Sequence, residues 1–261
     1  MTHLHGSAAR LLAVIAPGTP VGDIYGDRGS EVYDAMTRGD DSEVREILRA
    51  GRRTTGRILE LACGSGRFTF PLARLGREVV ALDNSPRMLE LLSVRAERTG
   101  VRTIRSRVGD MSDFELGGRF GLIVLGTTSI SLLARDARRT LLGAVRRHLA
   151  PDGTFLVSVR TDESDTGEGA ARVIPLPGDE TDVVLLGEQR DVSAGHRDVS
   201  ILRLHRRADL LDVEVFASRV HLLGARQLCE ELREAGLTVR DTTPVRVAAE
   251  GPAISMIECG L

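Results

Sequence analysis

The chain has 261 residues, 42% of them hydrophobic, and a formal net charge of −2. That is enough for one large domain, or one domain with an insertion, around a sizeable core. The near-balanced charge gives no electrostatic footprint for nucleic acid, and no apolar run is long enough to span a membrane. With aromatics at 3% and no Trp, an aromatic cage for a quaternary amine is not expected. Cys63, Cys229 and Cys259 are far apart, odd in number and without metal spacing, so they read as reduced thiols. Met1-Thr2-His3-Leu4-His5 lacks the basic and apolar regions of a secretory signal. A cytoplasmic location, with no metal, no nucleic acid and no membrane partner, is expected.

The first predicted element is an apolar helix, Ser7 to Ala16, stopped by Pro17-Gly18. Asp23-Ile24-Tyr25 and Tyr33 follow and hold both tyrosines of the chain. A helix is predicted to begin at Ser30, which can cap it. Another is predicted from Ser42 to Ala50, opening with Ser42-Glu43-Val44-Arg45 and ending at Gly51. These helices precede the stretch described next and are expected to form a helical lid over its open face.

Arg57 to Arg67 reads as strand, glycine turn and helix. Ile58-Leu59-Glu60-Leu61 leads into Ala62-Cys63-Gly64-Ser65-Gly66, and Phe68 to Leu75 carry apolar positions at helical spacing. Gly64 and Gly66 can adopt angles closed to other residues and let a ligand approach the main chain. The helix after the turn points its amides back at that ligand. The next strand, Val79-Val80-Ala81-Leu82, ends in Asp83. A carboxylate at that tip can accept both hydroxyls of a ribose, an arrangement shared by nicotinamide dinucleotide and S-adenosylmethionine (SAM) sites. Thr69 stands where a third dinucleotide glycine would be, which lowers the nicotinamide reading.

Pro86 fits the first turn of a helix running to about Arg98, with Leu89, Leu92 and Ala96 toward the sheet. Strands are predicted at Thr103–Val108, running into Gly109-Asp110-Met111, at Phe120–Leu125, and at Thr154–Val159, the last apolar enough to be central. A helix is predicted from Arg135 to Leu149, and a turn at Pro151-Asp152-Gly153. Such alternation implies a doubly wound parallel sheet. Residues 161–170 are acidic and read as a loop. From 171 to 220 the period changes to two, at Val183–Leu186, Val199–Arg206 and Val213–Val220, which predicts an antiparallel insertion. A helix from Ala225 to Ala235 ends at Gly236. Leu237–Arg240 and Ala253–Glu258 are expected to close the sheet as a reversed hairpin.

The chain is therefore read as α/β, a Rossmann-like sheet in a single domain. Its parts are a cap (1–52), a nucleotide-binding core (53–160), a β insertion on the substrate side (161–220), and a C-terminal helix with the closing hairpin (221–261).

Glu60, the glycine turn, Asp83 and Gly109-Asp110-Met111 together resemble the class I SAM-dependent methyltransferases, over about residues 57–160. Ala62 departs from the glycine most common there. Asp23-Ile24-Tyr25 with Tyr33, Glu60 through Pro71, and Gly109-Asp110-Met111-Ser112 followed by Arg119-Phe120-Gly121 resemble a narrower set. These are N-methyltransferases of peptide natural products, of the glycopeptide-antibiotic and daptide types; daptides are ribosomally made. The resemblance covers about residues 21–160, and Ala62 fits that subset.

What this implies is a SAM-dependent methyltransferase of natural-product biosynthesis. Its acceptor would be an amine, the N-terminal α-amine of a peptide among the options. The expected cofactor contacts are the backbone at Ala62, Gly64 and Gly66, Glu60 near the methionine amino group, and Asp83 at the ribose. Asn84 is grouped with them. Asp110 and Met111 are expected at the adenine, Met88 on the purine, and Gly126 and Ser129 at the methionine end. Tyr25 and Tyr33 are carried over to the SAM and substrate side, and Arg67 is read as capping the turn.

An amine acceptor must shed a proton before attack. Among the histidines, His3, His5, His148, His196 and His205 read as terminal, helix-end, hairpin-tip or surface residues. His221 and Tyr25 remain as candidate catalytic groups, His221 by position alone. O-methylation of a secondary metabolite, a non-catalytic SAM-binding subunit and, third, a nicotinamide oxidoreductase are the alternatives. The oligomeric state is left open, a homodimer among the options.

Overall fold

The computed structural model describes residues 4, 6–161, 170–176, 181–208, 210–245 and 253–261, and its strands separate into two sheets. His3, His5 and most of the acidic stretch 161–170 lie outside the described residues. Each sheet belongs to its own unit: Met1–Gly39 with Ser164–Leu222, and Asp40–Glu163 with Leu223–Leu261.

The first unit holds α1 (Gly6–Ile15), β1 (Val21–Asp23) and α2 (Asp27–Thr37). Its remaining strands are β7 (Ala170–Pro175), β8 (Asp182–Asp191), β9 (His196–Arg207) and β10 (Leu210–His221). They form a five-stranded sheet in the order β1-β10-β9-β8-β7. Three antiparallel pairings link β7 through β10, and β1 adds in parallel. Alternate residues face opposite layers. Val184, Ile201 and Phe216 pack with Ile24 and Val32 of the α2 side, whereas Leu202 and Val215 pack with Ala8 and Leu12 of α1. Helix α2 starts at Asp27, earlier than Ser30. Ser30 lies inside its first turn, and its hydroxyl donates back to the Tyr25 carbonyl at 3.1 Å.

The second unit carries α3 (Val44–Arg53), β2 (Ile58–Leu61), α4 (Thr69–Ala73), β3 (Val79–Asp83) and α5 (Pro86–Thr99). After them come β4 (Ile104–Val108), β5 (Phe120–Leu125), a 3-10 turn (Ser129–Leu132), α6 (Arg135–His148) and β6 (Leu149–Arg160). It ends with α7 (Ala225–Glu234), β11 (Thr238–Val245) and β12 (Ile254–Gly260). The strand order is β11-β12-β6-β5-β2-β3-β4. Strands β2 to β6 are parallel, and β12 runs against β6, so the reversed hairpin is present. The order reverses at β2, so a crevice opens at the carboxyl ends of β2 and β5, the usual ligand position in such sheets.

Continuous apolar strands are what two-sided burial requires. In β5, Phe120, Ile123 and Leu125 face α6 and α7 through Leu141, Leu142, Val145, Leu228 and Leu232. Leu122 and Val124 face the other way, toward Ile47, Ala50 and Leu72. Helix α3 thus belongs with the second unit: the chain divides at Gly39/Asp40, ahead of the 52/53 boundary drawn from sequence. It also runs through Gly51 to Arg53, where sequence placed its end at Gly51. Gly51 is there for packing, since a Cβ on it would lie 2.6 Å from Cδ1 of Leu75. Two other expected helix ends hold: Pro86 lies in the first turn of α5, and Gly236 follows α7 at φ +78°. The structure adds a cap at α5, where the Ser85 hydroxyl accepts the Met88 amide at 3.3 Å.

Candidate active site

The glycine turn between β2 and α4 is a run of backbone that side chains would resist. Ala62, Gly64 and Gly66 have φ of +52°, +55° and +98°. Left-handed geometry favours glycine at position 62, and the small Cβ of Ala62 bears it at modest cost. Above Gly64 the space is open, for a Cβ there would meet nothing nearer than the Met88 sulfur at 4.0 Å. That open face suits a ligand seated against the main chain.

Two carboxylates flank the turn. Asp83, at the end of β3, accepts the Gly64 amide on Oδ2 at 2.8 Å and the Ser85 amide on Oδ1 at 2.9 Å. Burial raises its pKa, while the amides of Ser85, Gly64 and Asn84 lower it. Glu60 is fully buried at the end of β2 and accepts the Thr69 hydroxyl at 2.5 Å. Burial pushes the Glu60 carboxyl up to about 8; the Thr69 bond and Arg67 lower it, and the charge of Asp83 raises it.

The tips of β3 and β4 are tied together, because the Gly109 amide donates to the Asp83 carbonyl at 3.0 Å. Asp110 is exposed next to it and accepts the Ser112 amide at 2.7 Å. Met111 is half-buried against the core, Met88 is buried, and Asn84 is exposed. Gly126, at the end of β5, is pressed on the Phe68 ring: a Cβ there would lie 2.4 Å from it. Ser129 opens the 3-10 turn and is half-buried. The second unit therefore gathers Glu60, Ala62, Gly64, Gly66, Asp83, Asn84, Met88, Asp110, Met111, Gly126 and Ser129 around the carboxyl ends of β2 to β5.

Tyr25, Tyr33 and His221 belong to the first unit. The two tyrosine rings stand 6.0 Å apart at 57°. Tyr25 is exposed as a residue; desolvation local to its phenol, then Tyr33, raises its pKa, with Arg197 opposing. His221 is the last residue of β10, opposite His196. In the second unit, the last residue of α6, His148, is buried between the Ala144 carbonyl (2.8 Å) and the Leu116 amide (2.9 Å), a structural role.

Sequence reasoning missed one cluster. From sequence, Glu43 reads as part of a helix start and Arg67 as a turn cap. The Arg67 guanidinium reaches Glu43 at 2.8 Å and also pairs with Asp40. The Glu43 carboxylate accepts the Thr127 amide at 3.0 and 3.1 Å. No local pattern signals a contact across 84 residues.

A Rossmann-like sheet with a glycine turn, an acidic tip on its second strand and a second carboxylate after its third defines a nucleoside-binding enzyme of the methyltransferase type. Residues 58–153 match the family model described as "Methyltransferase domain". The chain is 31% identical over 158 residues to the magnesium-protoporphyrin O-methyltransferase of Rhodobacter capsulatus, covering 51% of this chain and 70% of that one. It is 27% identical over 183 residues to the cypemycin N-terminal methyltransferase of a Streptomyces species, covering 68% and 73%. The glycopeptide N-methyltransferase MtfA, solved with SAM, superposes with a TM-score of 0.68 at 29% identity, covering 100% of this chain and 99% of that one. The chain belongs to the class I SAM-dependent methyltransferases. Among the described residues no helix is long and apolar enough to cross a membrane, and no His, Cys, Asp and Glu cluster could hold a metal ion.

Proposed function

We propose that the protein methylates an amine of a peptide-derived or other small natural product, with SAM as donor, the N-terminal α-amine of a peptide being one such acceptor. The observation that carries this reading is the likeness to MtfA along the whole chain, the first unit included. The cypemycin N-terminal methyltransferase, matched over 68% of the chain, supports it.

The residues present fit SAM. Backbone at Ala62, Gly64 and Gly66 offers the open face, and Asp83 retains lone pairs for ribose hydroxyls. Asn84 lies beside it, Asp110 would accept from the adenine amino group, and Met88 and Met111 would pack on the purine. Glu60 would hold the methionine ammonium, with Gly126 and Ser129 at that end. When bound, SAM supplies a methyl already activated on a sulfonium. The chain's task is to orient a neutral nucleophile in line with that methyl, exclude water and accept a proton. Tyr25, Tyr33 and His221 are proposed for the acceptor side, on the resemblance and on sequence position.

The test is S-adenosylhomocysteine (SAH) release with peptides bearing a free N-terminal amine, their N-acetylated counterparts, and hydroxyl acceptors. Turnover only with free amines is expected; turnover only with hydroxyls overturns the reading. The O-methyltransferase alternative rests on the match to the protoporphyrin enzyme, which spans 51% of this chain. SAM binding with no SAH from any acceptor would instead support a non-catalytic subunit.

A further inference from the structure

We propose that Glu43 is a positioning residue, whose carboxylate locks the Thr127–Thr128 turn after β5 in the conformation that shapes the methyl-donor end of the site. The inference rests on the SAM-binding reading above.

The Ser129 amide donates to the Gly126 carbonyl at 3.1 Å and closes the turn, but that bond leaves the strained angles at its centre unrelieved. Thr127 and Thr128 have φ of +59° and +54°. A β-branched residue in the left-handed region is a marked outlier, and two in succession need an outside restraint. That restraint converges on one buried acid. Glu43 is 2% exposed and itself left-handed at φ +69°, just ahead of α3. Its carboxylate takes the Thr127 amide on both oxygens and Arg67 on Oε2. It is also hydrogen-bonded by the Ser158 side chain, and the Ser158 hydroxyl oxygen accepts the next amide, Thr128, at 2.9 Å. Two consecutive amides of a strained turn thus end on a single network.

The network also reaches the other wall of the crevice. Arg67 follows Gly66 directly, and its guanidinium meets Glu43, Asp40 and the Thr127 hydroxyl, the last at 3.3 Å. From behind, Gly126 is packed on Phe68 so closely that no Cβ fits. Strands β2 and β5 are neighbours at the point where the strand order reverses. Glu43 therefore fixes the spacing of the two loops between which the donor's methionine end is proposed to lie. Burial raises the Glu43 pKa, and Ser158, Arg67 and the Thr127 amide oppose that rise.

The experiment compares the full-length protein with Glu43→Gln, Glu43→Ala, and Glu43→Ala combined with Thr127→Gly and Thr128→Gly. SAH affinity is measured by calorimetry, amide exchange at 127–131 without ligand, and folding by thermal unfolding. Glu43→Ala is expected to bind SAH about tenfold more weakly and to lose protection at 127 and 128. Glu43→Gln is expected to fall between it and the native protein. Because glycine takes left-handed angles without steric cost, the triple variant is expected to recover SAH affinity without recovering thermal stability. Affinity of a folded Glu43→Ala within about twofold of native, unchanged exchange, or a triple variant no better than Glu43→Ala would overturn the proposal. If Glu43→Ala does not fold, Glu43→Gln carries the same comparison. If the native protein fails to bind SAM and SAH, the functional reading falls by itself, while the ligand-free exchange still decides what holds the turn.

Discussion

The amide of Gly64 donates to the Asp83 carboxylate at 2.8 Å, joining the turn after β2 to the tip of β3. One side chain thereby shapes the glycine turn and faces the nucleoside it is proposed to hold. Replacing Asp83 with Ala is expected to weaken SAM binding by about thirtyfold, since a charge-assisted hydrogen bond contributes ~1.5–3 kcal/mol. Calorimetric titration checks this, and unchanged affinity would remove the nucleoside assignment.

Glu60 gives a pH signature. Burial disfavours its charge and pushes its carboxyl up to about 8, against 4.5 ordinarily. For an acid with a raised folded-state pKa, the folded form keeps the proton longer than the unfolded form. The associated stability is whole below about 4.5 and is lost as pH rises to about 8. Glu60→Gln does not titrate. Its melting temperature, compared with the native protein, is therefore expected to gain steadily between pH 5 and pH 8; parallel curves would contradict the burial argument.

Arg138 of α6 and Glu231 of α7 form a two-pronged ion pair at 2.6 and 2.7 Å, both side chains buried. Removing one partner strands the other charge, so Glu231→Leu alone is expected to cost about 3–5 kcal/mol. Arg138→Met with Glu231→Leu is expected to recover most of it, and denaturant unfolding of the single and double variants measures the coupling.

Ala62 bears a left-handed backbone at φ +52° in the middle of the turn. Ala62→Gly is expected to stabilise the protein by about 1 kcal/mol, because strain is relieved where a Cβ opposes the native angle. Ala62→Val is expected to destabilise it by more than that, both read from thermal unfolding.

If His221 takes the acceptor's proton, His221→Asn is expected to lower the methyl-transfer rate by about a hundredfold or more, with SAM affinity unchanged. Tyr25→Phe, lacking only the hydroxyl, separates a hydrogen-bonding role toward the acceptor from packing against Tyr33. Rates within about twofold of native would return both residues to structural roles.

Much of the site was legible because its signals are local. Gly64 and Gly66 mark backbone closed to other side chains, Asp83 ends a short apolar strand, and Pro86 opens a helix, each within a few residues. The family resemblance joined those pieces into one ligand site. Helix limits were less legible where glycine and serine serve tertiary contacts. Gly51 looked like a stop and is a packing position, and Ser30 looked like a cap and bonds back to Tyr25.

Sequence alone determined the alternation of strand and helix, the central place of β6, and the set of loop tips, since periodicity and turn chemistry are properties of neighbours along the chain. Only the tertiary structure decided that α3 joins the nucleotide-binding sheet and that Glu43, Arg67, Thr127 and Ser158 meet in one buried network. Those contacts are made by residues tens of positions apart, through hydrogen bonds that leave no period and no spacing in the sequence.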